Sequence, residues 1–532
     1  MKPLKKKIKE EIKNLLSNSF DLKDEEFRVG YPKSELGDYY TNVAFSIAKR
    51  EGKNVKKMAD EVASMLLKSD IFENVEPLNG FVNIRVKKSI IENMMKEFLK
   101  GEKVEEKKQR ILIEFVSANP TGPIHIGHGR GAVIGDSLAR VFSHLGYNVQ
   151  REFYINDAGG QILSLLNSVE VHRKKLIDPS FQIGEDVEYQ GEYVEEIARE
   201  ISAEMNLEEK KNRVISLILD EIKNTLQEFR VNFDTWISEE SFYKNGAVEE
   251  VVNRLKEMGY VEEKDSALWF VMKGLEEDKD RVLRRRDGRW TYFAGDIAYH
   301  KYKYERGYDL LINVWGADHH GYLPRLRGAI KAMGFDENKL KIVWVQMVKL
   351  VREGKPIQMS KRKGEYITLK DVINEVGTDV TRFFFLMRRT ESPLEFDLEL
   401  AKKETEENPV FYVQYAYARI RSIFEELKKR KMDYEEGGFS QKLLNEEEEK
   451  LLRKFIKFYD VLYDVVEFLE PHLIVQFLLE IVPLFHQFYT KHRVLVENKV
   501  ERNHRLEIIR CMQKTIETGL SLIGVKTPEG RM

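Results

Sequence analysis

The pattern of apolar and polar residues separates the two ends of the chain from its middle. Residues 1–100 combine helical periodicity with a strand-like stretch, which predicts a small α+β unit. A charged segment, Gly101–Gln109, follows and is typical of a linker. Residues 401–532 have helical periodicity almost throughout, so we predict an all-α bundle with a break near Gly437 and Gly438. In the N-terminal unit we predict helices over 4–17, 54–68 and 89–100 and a strand over 80–86.

The middle of the chain alternates strand-like apolar runs with helical patterns. This alternation is typical of an α/β sheet whose parallel strands are joined by helices. Residues 160–277 are mostly helical and charged, so we predict an insertion between two halves of the core. Asp287 and Gly288 predict a hairpin over 281–293. Core strands are predicted over 111–116, 149–155, 311–315 and 342–348, and a helix over 130–145.

Two histidines lie between the first core strand and the first core helix, in Ser-Ala-Asn-Pro-Thr-Gly-Pro-Ile-His-Ile-Gly-His at 117–128. His125 and His128 therefore open a helix at the carboxyl end of a strand, where α/β sheets bind nucleotide phosphates. Residues three apart share a helix face, so both rings can reach one phosphate chain. Gly122 and Gly127 allow close approach of a ligand. A histidine pair alone more often caps or packs a helix. The prediction depends on the combination of a strand, a turn with glycine and proline, two spaced histidines and a helix.

A second cationic segment, Gln-Met-Ser-Lys-Arg-Lys-Gly at 358–364, follows the last predicted core strand. Three cations close to a glycine suit a loop that binds a polyphosphate, because lysine contributes a point charge. Lysine clusters on loops are common, so this segment is a weak indication when taken alone.

Two acidic residues suggest a cationic substrate. Glu114 lies in an apolar strand, where a carboxylate is costly to bury unless it meets a cation. Tyr292 and Asp296 are four residues apart and share one face if their segment is helical. Two acids with a neighbouring tyrosine suit a substrate that carries a guanidinium, and a substrate with an ammonium group is the alternative. Glu114 could instead pair with an arginine of the protein, such as Arg130.

The segment Gly316–Gly321 contains the adjacent histidines His319 and His320. Neighbouring histidines in a loop after a strand make poor metal geometry, so we favour contact of His320 with nucleotide or substrate. We predict no metal ion held by the protein alone.

Composition narrows the class of protein. The 532 residues, of which 42% are hydrophobic and 33% charged, suit a soluble globular chain of several domains. No apolar run approaches the ~18–20 residues that span a membrane, and the N-terminus lacks a signal-peptide core. Cys511 is the single cysteine, which excludes an internal disulfide and predicts a cytoplasmic location. The chain also lacks the Cys-x-x-Cys pair of structural zinc sites.

The net charge of −2 means that nucleic acid would have to bind at local basic clusters. One such cluster is Arg281–Arg289. Clusters of this kind are usually solvated surfaces, and only a position beside a nucleotide site makes them candidates for RNA contacts.

The two motifs together resemble the signatures of class I aminoacyl-tRNA synthetases. His125-Ile126-Gly127-His128 resembles the HIGH signature, and 358–364 resembles the KMSKS signature. Gln358 replaces the first lysine of the second signature, whereas Lys361 stands at the position of its second lysine. The role of the first lysine would then fall to Lys355 or Lys363.

Longer segments resemble the arginyl-tRNA synthetase family over nearly the whole chain. The segments that carry this resemblance are 114–123, 154–161, 189–193, 233–239 and 408–415. The resemblance implies a class I Rossmann-like α/β catalytic core with a helical insertion, a small α+β N-terminal domain and an all-α C-terminal bundle. The implied domains are 1–104, which contacts tRNA, 105–345 with the insertion at about 160–277, 346–400 with the signature loop, and the anticodon-binding 401–532.

The same resemblance implies roles for individual residues. Arginine would be held by Glu114, Asn119, Tyr292 and Asp296, with a further contact from His320. ATP would be held by Pro120, Gly122, His125, Gly127, His128, Met359, Ser360 and Lys361. Of these, His125, His128 and Lys361 would act on the reacting phosphates.

The implied reaction joins L-arginine to tRNA(Arg) through an arginyl-adenylate, with Mg²⁺ bound through ATP. The enzyme would be a cytoplasmic monomer that does not bind membranes, and it would need tRNA to activate arginine. Two alternatives remain at this point: a class I enzyme that activates lysine, and a tRNA-binding relative without catalysis. The phosphate-binding residues argue against the second alternative, because a binding module has no use for them.

Overall fold

The computed structural model describes residues 3–33, 36–101, 105–184, 187–272, 274–275, 279–357 and 367–530. The N-terminal unit is a four-stranded antiparallel sheet of order β1-β2-β4-β3, packed against helices. Leu4, Ile8, Ile12 and Leu16 form the buried stripe of its first helix. Its elements are α1 (Leu4–Leu16), β1 (Val29–Gly30), β2 (Tyr39–Thr41), α2 (Val43–Glu51), α3 (Val55–Leu66), β3 (Phe72–Leu78), β4 (Phe81–Val86) and α4 (Lys88–Lys100).

The α/β core is built on a five-stranded parallel sheet of order β12-β11-β5-β6-β7. Its central strand carries the buried residues Ile111, Leu112 and Ile113, as expected for a parallel strand covered on both faces. The sheet and its first crossover consist of β5 (Arg110–Glu114), α5 (Ile126–His144), β6 (Asn148–Ile155), β7 (Thr235–Ser238), β11 (Leu310–Gly316) and β12 (Leu340–Val345).

The region between β6 and the second half of the core differs from the predicted helical insertion over 160–277. Its helical part ends at residue 228, and β7 then pairs in parallel with β6 at the edge of the core sheet. A four-residue strand is too short for its alternation to be separated from flanking helices by pattern. The remaining elements are α6 (Gly160–Ile177), α7 (Glu192–Glu200), α8 (Leu207–Glu228), α9 (Glu239–Lys244), α10 (Ala247–Glu257), β8 (Val261–Lys264), β9 (Ala267–Phe270), β10 (Arg281–Arg284), α11 (Tyr292–Glu305) and α12 (Leu323–Ala332).

Two other boundaries differ from the prediction. The predicted strand over 342–348 is divided, because β12 ends at Val345 and a new strand of another sheet begins at Val348. The predicted hairpin over 281–293 is shorter. β10 turns at Asp287 and Gly288 towards Trp290, and α11 then begins at Tyr292.

A connecting segment joins the core to the C-terminal bundle. It contains β13 (Val348–Arg352), β14 (Lys355–Pro356), α13 (Leu369–Val376), α14 (Thr378–Phe385), β15 (Leu394–Asp397) and α15 (Leu398–Lys402). Arg382 of α14 is fully buried. Its guanidinium donates to the carboxylate of Asp136 on α5. It also donates to the carbonyl oxygens of Phe229 and Ile523, both at 2.8 Å. This residue therefore fixes the helix that carries the histidine pair against the end of the bundle.

The C-terminal bundle also packs on the N-terminal unit. Arg453 donates to Asp38 at 2.6 Å and to Glu73 at 2.8 Å, across the interface between these two units. We expected no apolar run long enough to cross a membrane, but the fourth bundle helix passes this test by length and composition alone. Ile474, Leu478 and Ile481 on it are completely buried in the protein. The bundle consists of α16 (Pro409–Lys429), α17 (Glu446–Phe455), α18 (Phe458–Phe468), α19 (His472–Lys491) and α20 (Lys499–Leu522).

Candidate active site

The histidine pair lies at the start of α5, at the carboxyl end of the central strand. His125 is the N-cap, and its Nδ1 accepts a hydrogen bond from the Gly127 N–H at 3.1 Å. The rings of His125 and His128 stack with centroids 3.9 Å apart. The helix therefore begins one turn earlier than the predicted 130–145, and both imidazoles lie beside its unpaired N–H groups.

The turn between β5 and α5 has an unusual backbone. Val116 and Ser117 both have positive φ, at 70° and 43°, although a β-branched residue rarely adopts this region. The conformation is held by Asn156, whose Nδ2 donates to the Ser117 carbonyl at 2.9 Å, and by the Ser117 hydroxyl, which donates to Glu114 at 2.9 Å. Strained backbone of this kind is concentrated at functional sites.

Glu114 is buried and forms an ion pair with Lys303 of α11, which is also completely buried. Lys303 donates further to Asn313 Oδ1 at 2.9 Å. The alternative partner considered above, Arg130, instead donates to the carbonyl oxygens of Gln346, Arg389 and Ser392. Both oxygens of Glu114 are thus bonded within the protein, one to Lys303 and one to Ser117.

Helix α11 is fixed against the sheet by a second buried carboxylate. Glu152 of β6 accepts two hydrogen bonds from Arg306, at 2.6 and 2.8 Å, and one from the Tyr299 hydroxyl at 2.8 Å. Such bidentate pairs fix orientation as well as distance. They orient α11 so that Asp296 lies near Glu114, close enough for the two charges to interact.

Asp296 is an acid with no ion-pair partner among the described residues. Its carboxylate accepts a hydrogen bond from the Tyr322 hydroxyl. Burial raises the pKa of Asp296 to about 7, and the negative charge of Glu114 adds to this rise, whereas the Tyr322 hydrogen bond and Lys303 oppose it. Lys303 acts on Asp296 only through its charge, because its ion pair is with Glu114.

A second acid lies in the same pocket, at the start of α9. Glu239 is buried, and its Oε1 accepts a hydrogen bond from the Tyr243 hydroxyl at 3.1 Å, whereas its Oε2 has no hydrogen-bond partner in the described part of the chain. Burial raises the pKa of Glu239 to about 8, and the charge of Asp296 contributes to the rise. The buried hydroxyl of Tyr154 likewise lacks a partner among those residues, and its pKa is raised by burial and by the charges of Glu239 and Asp296.

The other described residues predicted to hold arginine or ATP lie in the turn between β5 and α5 and at the start of α11. Tyr292 is half-exposed, and its hydroxyl lies so close to Gly159 that a Cβ there would be 2.5 Å away. Asn119 is exposed and donates to Gln161. Gly122 lies under the ring of Tyr193, which a Cβ would approach to 3.0 Å. Pro120 is buried in the same turn.

His320 lies in a short turn, 317–322, directly after β11. Its exposed ring stacks on Trp344 with centroids 3.9 Å apart. Tyr322, which bonds Asp296, belongs to the same turn. His320 is therefore placed at the carboxyl edge of the sheet, and no described group of three or more His, Cys, Asp or Glu residues is arranged to hold a metal ion.

The second signature segment falls outside the described residues, which omit 358–366 and with them Met359, Ser360 and Lys361. The residues immediately after it return to the histidine pair. Thr368 forms an antiparallel bridge with His125, and the Leu369 N–H donates to the Ile124 carbonyl at 2.9 Å.

Sequence reasoning missed Glu239, Tyr154, Tyr322 and Lys303. Glu239 directly follows β7, and an acid at the carboxyl end of a core strand is the signal that could have revealed it. That signal can be used only if β7 is first recognised as a strand, and β7 lies within the segment that we predicted as a helical insertion. Lys303 lies in the last turn of α11, and the local sequence pattern does not distinguish it from a surface lysine.

Sequence comparison identifies three regions of the chain. Residues 2–86 match the arginyl tRNA synthetase N-terminal domain, 90–385 match the catalytic domain of class I tRNA synthetases (R), and 413–532 match the DALR anticodon-binding domain. The arginine–tRNA ligase of Aquifex aeolicus is 40% identical over 99% of this chain and 100% of that protein. That of Desulfosudis oleivorans is 42% identical over 93% of this chain and 92% of its own length.

Solved structures share the fold. Thermus thermophilus arginyl-tRNA synthetase superposes with a TM-score of 0.80 at 20% identity, over 99% of this chain and 100% of its own. The Plasmodium falciparum arginyl-tRNA synthetase superposes with a TM-score of 0.79 at 20% identity, over 99% of both chains. Together with the full-length sequence matches, these findings show that the chain belongs to the arginyl-tRNA synthetase family of class I and has the arginine–tRNA ligase function of that family.

Proposed function

We propose that substrate arginine binds with its guanidinium between Asp296 and Glu239. The observation that supports this most strongly is that both carboxyls have pKa values raised to about 7 and 8 and no ion-pair partner among the described residues. A planar cation with five donors satisfies both acids and the unpartnered Tyr154 hydroxyl, and restores the charged form of each carboxyl. Tyr292 and Asn119 close the pocket at its mouth, and the ion pair of Glu114 with Lys303 holds its wall.

ATP binds at the start of α5 in this proposal. His125, His128 and the N–H groups of the first turn hold the phosphates, and Gly122 and Gly127 leave room for them. The substrate carboxylate then attacks the α-phosphate, and pyrophosphate leaves. Catalysis rests on positioning and charge stabilisation. Lys361 neutralises the leaving pyrophosphate, and Mg²⁺ arrives bound to the ATP phosphates.

Transfer RNA binds across the N-terminal unit, the catalytic face and the C-terminal bundle. On the N-terminal unit Phe81 packs against Tyr40 and Phe45 with ring centroids 5.3 and 4.9 Å apart, and the two phenylalanines are more than one-third exposed. Partly exposed aromatic rings are suited to stacking on RNA bases. The lysines Lys49, Lys53, Lys56 and Lys57 lie exposed on the neighbouring helices α2 and α3 and in the loop between them.

The aromatic residues of the bundle divide into two groups. Tyr412, Tyr415 and Tyr489 are partly exposed, and Arg419 lies 4.6 Å from the ring centroid of Tyr489. Phe485 is completely buried, so it contributes to the core of the bundle and is not available to stack on bases. The three tyrosines and Arg419 are our candidates for anticodon contacts.

We further propose that the enzyme is a cytoplasmic monomer with the four domains predicted above. The burial of apolar residues of α19 inside the bundle supports a location away from membranes.

Citrulline tests the pocket, because it has the shape of arginine but a neutral end group. Calorimetry on the intact enzyme should show strong preference for arginine over citrulline. Glu239→Gln should lower that preference by at least about tenfold, because a buried charge pair is lost. Glu240→Gln is the matched control, since Glu240 pairs with Lys244 at 3.2 Å outside the pocket. An unchanged arginine-to-citrulline ratio in Glu239→Gln, or an equal loss in the control, would contradict the assignment.

A further inference from the structure

The turn between β10 and α11 concentrates positive charge on an otherwise slightly acidic chain. Residues 281–290 contain five arginines and one aspartate, a net charge of +4, whereas the whole chain has −2. Gly288 has φ of 82°, and the Arg285 N–H donates to the Arg289 carbonyl at 2.8 Å, which closes a tight turn. We call residues 284–290 the basic turn. Arg285, Arg286 and Arg289 are exposed on it.

Little of this charge is used inside the protein. The guanidinium of Arg285 makes no hydrogen bond or ion pair with the residues that the structure describes. Arg286 pairs with Asp265 at 3.3 Å and Arg289 with Asp287 at 2.6 Å, and all four side chains are largely exposed. Exposed ion pairs of this kind contribute little to stability. A phosphate can therefore replace these carboxylates at little cost.

The basic turn is attached directly to the mouth of the arginine pocket. The Thr291 N–H donates to the Leu283 carbonyl at 2.9 Å, and its hydroxyl donates to the Val282 carbonyl at 2.8 Å. Tyr292 of the pocket follows immediately. Three residues span at most about 11 Å of extended chain, so Arg289 lies within that distance of Tyr292, and Arg285 is bonded beside it.

An aromatic platform accompanies the arginines. Trp290 is partly buried against the core, and the Arg284 guanidinium lies 5.4 Å from its ring centroid. Aromatic rings next to arginine are typical of surfaces that bind single-stranded RNA, because bases stack on the rings and phosphates pair with the guanidinium groups.

We propose that the basic turn binds the phosphates of the single-stranded 3′ end of tRNA and guides its terminal ribose to the activated arginine. The inference rests on the proposed function, because it takes Tyr292 and Asp296 as the place where arginine is activated. The occupant is the single-stranded end, since this part of tRNA must reach that pocket and presents one phosphate per nucleotide to a turn of net charge +3.

The first test compares Arg285→Ala/Arg286→Ala with Lys339→Ala/Lys341→Ala. The control removes two exposed charges at the amino end of β12, on the side of the sheet opposite the pocket. The basic-turn variant should raise the KM for tRNA about tenfold and reduce the slope of log affinity against log salt by about 1.4, as expected for two phosphates of a single strand. Equal effects in both variants, or an unchanged KM for tRNA, would overturn the proposal.

The second test uses tRNA that lacks its last four nucleotides. Wild-type enzyme should bind this RNA more weakly than intact tRNA, whereas Arg285→Ala/Arg286→Ala should bind the two RNAs equally. If the variant loses affinity for both RNAs by the same factor relative to wild type, the basic turn contacts another part of tRNA and the proposal is wrong. Calorimetry with arginine alone checks the proposed function separately, because the basic-turn variant should bind arginine within twofold of wild type.

Discussion

Glu239 and Asp296 lie close together in one pocket, and the charge of Asp296 raises the pKa of Glu239 although no described cation forms an ion pair with either acid. Two carboxyls brought together in this way destabilise the empty pocket. The same arrangement binds a cationic substrate strongly, because a guanidinium removes the repulsion and compensates for the burial of both charges. The predictions on affinity and on stability follow from this relationship.

Arginine affinity should depend on pH. The carboxyls of the empty pocket, with pKa values of about 7 and 8, take up protons as the pH falls from 8 to 6. A protonated carboxyl cannot neutralise the guanidinium, so arginine must displace these protons and its affinity should fall at least about tenfold over this range. Calorimetry in buffers of different ionisation enthalpy should detect proton release at pH 7. A constant affinity from pH 6 to 8 would exclude the two acids from the site.

Glu239→Gln should stabilise the empty enzyme while it weakens arginine binding. A carboxyl with a folded pKa of about 8 and an unfolded value of about 4.3 destabilises the fold progressively as the pH rises between these values. Replacement by the neutral amide should therefore raise the free energy of unfolding by about 1–3 kcal/mol at pH 8 and change it little at pH 4.5. Thermal denaturation at both pH values measures this. Lower stability at pH 8 would show that Glu239 has a cation partner in the free enzyme.

Lys303→Met should destabilise the protein by about 3–5 kcal/mol, because Glu114 would be left buried without its cation. Adding Glu114→Gln to the same chain should recover much of the loss, since the neutral amide does not need a counter-charge. Chemical denaturation of the two variants and wild type forms the comparison. If the double variant is no more stable than Lys303→Met, the lysine acts through packing and not through its charge.

Lys361→Ala should lower the rate of adenylate formation on the order of 10²-fold and leave arginine affinity nearly unchanged, because its role is to stabilise charge in the transition state. Pyrophosphate exchange at saturating tRNA gives the rate, and calorimetry gives the affinity. Lys355→Ala, an exposed lysine of β14, is the comparison. A wild-type rate in Lys361→Ala combined with a large loss in Lys355→Ala would move the role to the latter.

Activation of arginine should require tRNA. The second signature segment has Gln358 in place of its first lysine, and a loop with one cation fewer is less able to close on ATP unaided. Binding of a partner would then complete the site by induced fit. Pyrophosphate exchange with arginine and ATP should be near background until tRNA is added. Full exchange without tRNA would refute this requirement and leave the enzyme assignment intact.

The sequence alone was sufficient for the features that depend on local pattern. The strand, glycine-containing turn and helix around His125 and His128 are encoded within about thirty consecutive residues, and the stacked rings at the start of α5 confirm the predicted fold of this segment. The helical C-terminal bundle and the α+β N-terminal unit were predictable for the same reason, because amphipathic periodicity is a local property.

Tertiary structure alone decided which side chains share the pocket. Glu114 and Lys303 are 189 residues apart, and Glu239 lies in a region predicted as a helical insertion. Sequence spacing cannot show that a short edge strand, β7, returns to the sheet and delivers an acid to its carboxyl end. Ion pairs and shifted pKa values depend on burial and on distances between charges, and these exist only after strands far apart in sequence have formed one sheet.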